Sequence, residues 1–308
     1  MVVALALHTS ACSGDAQRGS AAQKEPAGGA TIFSGSAALG YAKVQVDFGP
    51  RVPGSTAAKR AGDWIVAEMR SRADTVIVQT WTHTTATGKK LPMRNILARF
   101  RPEVAERVLY VTHWDSRPIA ESAPTEADRK SPVPGANDGA SGVGLFVALG
   151  DVFKKQQPTV GVDLLFVDGE DYGEFGPPDV DVLIGSTYFA SHLPSPGYKP
   201  LFGIVWDMIG DADLRIPYET HSFQRAPEVV ARVWQTAADL GYGSVFVQES
   251  GGPVTDDHIP LLNAGLRVID VIDLTYPAHH TLQDTMDKIS ARSLSIVGDV
   301  ATALVTRP

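Results

Sequence analysis

Four short apolar runs, each ending abruptly in histidine or acidic residues, constrain this chain more than any other feature. "RVLYVTH" (Arg107–His113) runs into Trp114 and Asp115, and "GVDLLFVD" (Gly161–Asp168) into Gly169, Glu170 and Asp171. "LFGIVWDMIG" (Leu201–Gly210) carries Asp207, and "GLRVIDVID" (Gly265–Asp273) leads to Thr275, Tyr276, His279 and His280. Strands this continuously apolar are buried on both faces, which places them in a parallel sheet covered by helices. Helical segments alternate with them. "DGASGVGLFVALGDVFKKQ" (Asp138–Gln156) turns Val143, Phe146, Val147 and Phe153 inward and ends in Lys154 and Lys155, where cations suit the helix dipole. "GSTYFASHL" (Gly185–Leu193), a segment near Pro227–Leu240 and the closing "ARSLSIVGDVATALV" read the same way. Upstream, Val52–Arg72 reads as a helix capped by Ser55 or Thr56, followed by two strands, "DTVIVQTWTHTT" and "RNILARF". The expected architecture is α/β: a single domain from about Gly35 to Pro308, with a mixed, mostly parallel central β-sheet and helices on both faces.

At 308 residues with 44% hydrophobic side chains, the chain can build a sizeable core. A formal charge of −8 argues against nucleic acid and anionic membranes as partners. No apolar run approaches the ~18 residues of a membrane span. Cys12 is the only cysteine, which excludes an internal disulfide framework and a thiolate metal cluster. The stretch "MVVALALHTSAC" resembles the end of a bacterial lipoprotein signal, in which Cys12 would carry the lipid anchor. Residues 1–30 are therefore read as a signal-like or disordered tail, and the protein as exported to a bacterial cell envelope or periplasm.

In open α/β sheets, ligands bind outside the carboxyl ends of the strands. The four strand ends, with Asp138 in the loop "PGANDGASG", deliver histidine or carboxylate to that one edge. Such crowding costs desolvation energy and mutual repulsion. A divalent cation answers both, and imidazole with carboxylate suits zinc. Neighbours on an extended segment point to opposite sides, so of Glu170 and Asp171 one can bind the ion while the other stays free as a general base. Taken singly these residues have plainer readings: Asp138 as a helix cap, His113 as a core histidine, His192 and His221 as surface or packing residues. Competing motifs fail. "GASGVG" misses the nucleophile-elbow spacing, the glycine-rich loop lacks the Lys-Ser/Thr of a phosphate loop, and H-E-x-x-H is absent.

The stretches "HWDS", "GANDGASG", "FVDGED", "GS-x-YFA", "WDMIG", "TDDHIPLLNAG" and "HHTLQDT", in this order, resemble the zinc-dependent aminopeptidase and glutaminyl cyclase family, metallopeptidase family twenty-eight. Matches run from "PRVPGS" (residues 50–55) to the final helix. In the two-zinc aminopeptidase pattern, the resemblance implies that Asp138 bridges, Asp171 and His280 complete one ion, and His113 and Asp207 hold the second. In the cyclase pattern one zinc sits on Asp138, Asp171 and His280. The cyclase branch is favoured by Asp256, which would join Glu170 and Asp207 in a hydrogen-bonded acid network. Glu170-Asp171 in place of a Glu pair, and Tyr276 ahead of His279 at the rim of the substrate pocket, point the same way. Animal cyclases carry tryptophan where His279 stands, so pocket detail does not transfer. Asp115 and Asp284 are the expected supports behind the ligands.

The expected function is a glutaminyl-peptide cyclotransferase acting on peptide or protein N-termini: zinc polarises the γ-carboxamide, the substrate's own amine attacks, and Glu170 moves the proton with help from Asp207 and Asp256. The alternative is an aminopeptidase with two zincs, and the remote one a non-catalytic binding ectodomain.

Overall fold

The computed structural model describes residues 1–2 and 32–307; Cys12 and the tail reading lie outside the described residues. Helices α1 (Gly35–Asp47) and α2 (Thr56–Arg70) precede a hairpin of β1 (Thr75–Thr84) and β2 (Lys90–Phe100). Then come β3 (Arg107–His113), α3 (Ala140–Lys155), β4 (Gly161–Val167), α4 (Ile184–Ser191) and β5 (Phe202–Asp207). The chain continues through β6 (Ile216–Glu219), α5 (Thr220–Arg225), α6 (Pro227–Asp239), β7 (Phe246–Gly252), α7 (His258–Asn263), β8 (Val268–Ile272) and α8 (Ala291–Thr306).

The main sheet has the order β1-β2-β4-β3-β5-β8. The hairpin joins β4 antiparallel, whereas β4, β3, β5 and β8 run parallel, so the single α/β domain has the mixed, mostly parallel sheet expected. Side-chain alternation divides each strand between two apolar layers. Val108 and Tyr110 pack with α2, α3, α6 and α8, while Leu109 and Val111 pack with Phe189 of α4 and Leu261 of α7. Both faces are thus covered, which is why these strands read as unbroken apolar runs. Asp163 is the exception within β4. It is fully buried and held by Arg107 (Nε and Nη2, 2.9 and 2.5 Å), Arg99 Nε (3.0 Å) and the Tyr198 hydroxyl (2.8 Å).

Ser55 caps α2 by accepting from the Ala58 amide. Three features escape the sequence pattern. Helix α1 has no strong apolar stripe; it docks through small residues, and a Cβ added at Gly144 of α3 would lie 2.4 Å from the Ala38 carbonyl oxygen. β2 starts at Lys90, ahead of the expected Arg94, because residues 90–94 pair only with β1; Pro92 therefore deprives no central ladder of a donor. β6 and β7 form a separate two-stranded sheet interrupted by irregular register, too broken to show a period.

Candidate active site

The parallel strands end level with one another: His113 pairs with Val167, the residue before Asp168, and Asp207 pairs with Ile272. Register alone therefore brings His113, the Asp168–Asp171 turn, Asp207 and the loop after β8 to one edge. Gly139, with φ +91°, starts α3 there; a Cβ would lie 2.5 Å from the Asp115 carbonyl oxygen, so the loop holding Asp138 can pass this close only with glycine.

His113 is the hub. Its Nε2 lies 3.1 Å from both Asp138 Oδ1 and Asp207 Oδ1, and its Nδ1 lies 3.4 Å from Asp115 Oδ1 and 3.9 Å from Glu170 Oε2. On the other side, His280 Nε2 stands 3.3 Å from Asp171 Oδ1 and 3.7 Å from Asp138 Oδ2. Asp138 thus faces both histidines, while Glu170 and Asp171 diverge from the turn at Gly169 (φ +71°), as their adjacency requires. All of these acids are buried.

Burial, then the charge of Asp171, pushes Glu170 well above the ordinary carboxylate range. Burial and then Asp207 push Asp256 up to about 6. Burial opposes the charge of Asp138, yet hydrogen bonding and attraction from His113 hold it below its usual range. A carboxylate with lowered proton affinity beside one with raised affinity suits a ligand next to a proton-transfer group, although burial and the charge of Asp138 also push Asp171 upward.

Three further aspartates brace these loops. Asp115 accepts from the amides of Glu170 (3.1 Å) and Asp171 (3.3 Å), fixing the acid turn. Asp284 accepts from the amides of Asn137 (2.8 Å) and Asp138 (3.1 Å). Asp168 closes the strand end, its Oδ2 accepting from the Arg94 amide. Tyr276 corrects the reading of the pocket. It is buried and its hydroxyl donates to Asp284 at 2.7 Å, so it props the Asp138 loop and does not form the cavity rim. His279 does line the cavity, of about 770 Å³, together with Glu170, Asp171, Asp207, Asp256 and His280.

Three residues were missed. Arg51 is fully buried and donates to the carbonyls of Pro134 (2.8 Å) and Gly135 (2.6 Å), bracing the loop before Asp138. Arg117 donates to Asp171 Oδ1 at 2.8 Å, and Glu121 lies 2.8 Å from His280 Nδ1. Their only sequence signals are the arginine in "PRVPGS" and an Arg/Glu spacing of four, which any exposed helical turn could show.

The donor set fits zinc: imidazole nitrogens and carboxylate oxygens without thiolate. His113, Asp138 and Asp207 place donor atoms within 4.8 Å of one another, as do Asp138, His279 and His280. Asp171 Oδ2 is buried there without a hydrogen-bond partner, an orphaned carboxylate oxygen that a cation would satisfy. Asp171 stands beside the second group, in contact with His280 and held by Arg117.

A parallel-sheet edge that gathers buried acids and histidines around a cavity defines a metal-dependent α/β enzyme. Residues 95–305 match Peptidase family M28, and the chain belongs to that family. It is similar to the crystal structure of Bacteroides thetaiotaomicron glutaminyl cyclase, with a TM-score of 0.87 and 33% identity, covering 91% of this chain and all of that one. A Zn-dependent exopeptidase from Parabacteroides distasonis gives a TM-score of 0.85 at 33% identity, covering 90% of this chain and 99% of that one. A glutaminyl-peptide cyclotransferase-like protein of Mus musculus is 28% identical over 263 residues, 76% of this chain; the chain spans 66% of that relative's length. Its relatives and solved neighbours are zinc enzymes of this family, and the chain is an enzyme of the same kind.

Proposed function

We propose that this zinc enzyme is a glutaminyl-peptide cyclotransferase, converting the N-terminal glutamine of peptides to pyroglutamate with release of ammonia. The observation that carries the reading is the position of His113. Its Nε2 lies 3.1 Å from both Asp138 Oδ1 and Asp207 Oδ1, so a shared hydrogen bond can take the place of a second ion between these acids. A single metal position facing Asp138, Asp171 and His280 is the cyclase pattern. The likeness to a solved glutaminyl cyclase supports it.

Zinc bound there supplies Lewis acidity toward the γ-carboxamide oxygen. Asp138, Asp171 and His280 would hold it. Glu170 takes a proton from the substrate's α-amine and returns one to the departing nitrogen; its raised proton affinity suits both transfers. Asp256 and Asp207 line the same cavity, and the charge of Asp256 adds to the raised proton affinity of Glu170; the expected hydrogen bonds joining these three acids are not seen among the described residues. The enclosing wall holds amine and carboxamide in contact, so attack within one molecule replaces attack by water.

The second reading is an aminopeptidase, favoured by the tight grouping of His113, Asp138 and Asp207, which can accept an ion in place of the shared proton. The purified protein is given Gln-initiated and Leu-initiated fluorogenic peptides, with zinc measured per chain. The proposal expects ammonia and pyroglutamyl product with one zinc, lost with chelator and restored by zinc; Glu170→Gln abolishes turnover with zinc retained. Free leucine with two zincs per chain would establish the aminopeptidase instead.

A further inference from the structure

We infer that Arg117 and Glu121 are positioning residues that choose which atoms of Asp171 and His280 face the zinc. This rests on the zinc centre and holds for either catalytic reading. Both residues lie in the segment between β3 and α3. Arg117 Nε donates to Glu121 Oε2 at 2.7 Å, coupling the two side chains. Arg117 Nη1 donates to Asp171 Oδ1 at 2.8 Å and to the Asp171 carbonyl at 3.2 Å. Glu121 Oε1 lies 2.8 Å from His280 Nδ1, and the Ser122 amide donates to the His280 carbonyl at 3.1 Å. One short segment therefore clasps two residues separated by more than a hundred positions in the chain.

The clasp selects atoms. A carboxylate can only accept, so Glu121 requires the hydrogen on His280 Nδ1 and leaves the Nε2 lone pair toward Asp138 and Asp171. Arg117 holds Asp171 Oδ1, the oxygen that lies 3.3 Å from His280 Nε2, and so fixes the carboxylate beside that lone pair; the other oxygen, Oδ2, is buried without a hydrogen-bond partner. Arg117 also sets a fixed positive charge beside a crowd of acids; it is 5% exposed, with its guanidinium 5.7 Å from the centre of the Phe175 ring. His280 itself takes φ +54°, a backbone state that a non-glycine residue keeps only where its surroundings impose it.

The test measures zinc affinity of the metal-stripped full chain by competition with a chromophoric chelator, with no substrate present. Losing such supports typically weakens binding about 10- to 100-fold. Glu121→Ala and Arg117→Met are each expected to fall in that range. Glu121→Gln, whose side-chain oxygen can still accept from Nδ1–H, should recover most of the loss. Nitrogen-15 shifts of the His280 imidazole should report the Nδ1–H tautomer in the wild type and Glu121→Gln, and a mixture in Glu121→Ala. Circular dichroism and thermal melts confirm that the variants are folded; were Glu121→Ala unfolded, the comparison of Glu121→Gln with wild type and the tautomer measurement would still decide. Wild-type affinity in both truncated variants, or a wild-type imidazole on Nε2–H, would overturn the assignment. A wild-type chain that binds no zinc would overturn it together with the zinc centre, whereas free leucine from the peptide assay would overturn only the cyclase.

Discussion

Arg51→Met tests whether the loop before Asp138 is held from beneath by one buried guanidinium. Methionine keeps most of the stem volume, so the change removes hydrogen bonds and charge more than packing. Two short bonds, to Pro134 and Gly135, and a longer one to the Trp114 carbonyl at 3.3 Å disappear. Charge-assisted bonds contribute roughly 1.5–3 kcal/mol each, and the carbonyls left behind lose partners in a place closed to water. Against this stands the relief of no longer burying a cation. Burial lowers the Arg51 pKa to about 10 despite Asp284, Asp115 and Asp138 nearby, which puts the cost of its charge at about 3 kcal/mol. The bonds win by a modest margin, and the expected net loss is about 3 kcal/mol. Urea unfolding at neutral pH measures it. Because Asp138 follows the released turn, zinc affinity of the folded variant should also drop by about tenfold or more. A stability loss below about 1 kcal/mol with unchanged zinc affinity would refute the reasoning.

Gly142→Ala drives a Cβ to within 1.9 Å of Thr112 Oγ1 and 2.7 Å of the Trp206 carbonyl oxygen, so α3 must lift from the sheet. About 3 kcal/mol of destabilisation is expected, whereas Gly40→Ala, which meets nothing within 4 Å on an exposed stretch of α1, should stabilise by about 0.5–1 kcal/mol. Equal melting temperatures for the two variants would contradict this. Glu219 accepts from the amides of His221, Ser222 and Val254 and lies 3.2 Å from His258; burial opposes its charge, but His258 and these amides hold its pKa at about 2 against an ordinary 4.5. The unfolded chain takes up this proton at higher pH, so the stabilisation, about 3 kcal/mol, is complete above pH ~5 and is lost as pH falls toward 2. Glu219→Gln should therefore cost about 3 kcal/mol at pH 7 and much less at pH 3, by paired urea melts; a pH-independent difference would exclude the linkage.

The sheet and the acid edge were legible because both are written in neighbours along the chain. Unbroken Val/Ile/Leu/Phe runs signal strands buried on two faces, and the residue after each run must lie at the strand's carboxyl end. His113, Asp207 and the Glu170-Asp171 pair were therefore placed by local pattern. The same logic misplaced Tyr276: position in the loop after β8 put it near the site, but its hydroxyl turns inward to Asp284. Helix α1 was invisible because it packs through alanine and glycine, which carry no periodic apolar signal although they let backbones approach closely.

By itself, then, the sequence determined an α/β sheet with a metal-fitting rim of acids and histidines, since burial and covalent adjacency act locally. Only the tertiary structure decided which atoms do which work. Arg117 meets Asp171, Glu121 meets His280 and Arg51 meets Gly135 across 54, 159 and 84 positions. Partners so distant are chosen by distance and direction in the folded molecule, and no pattern along the chain carries either.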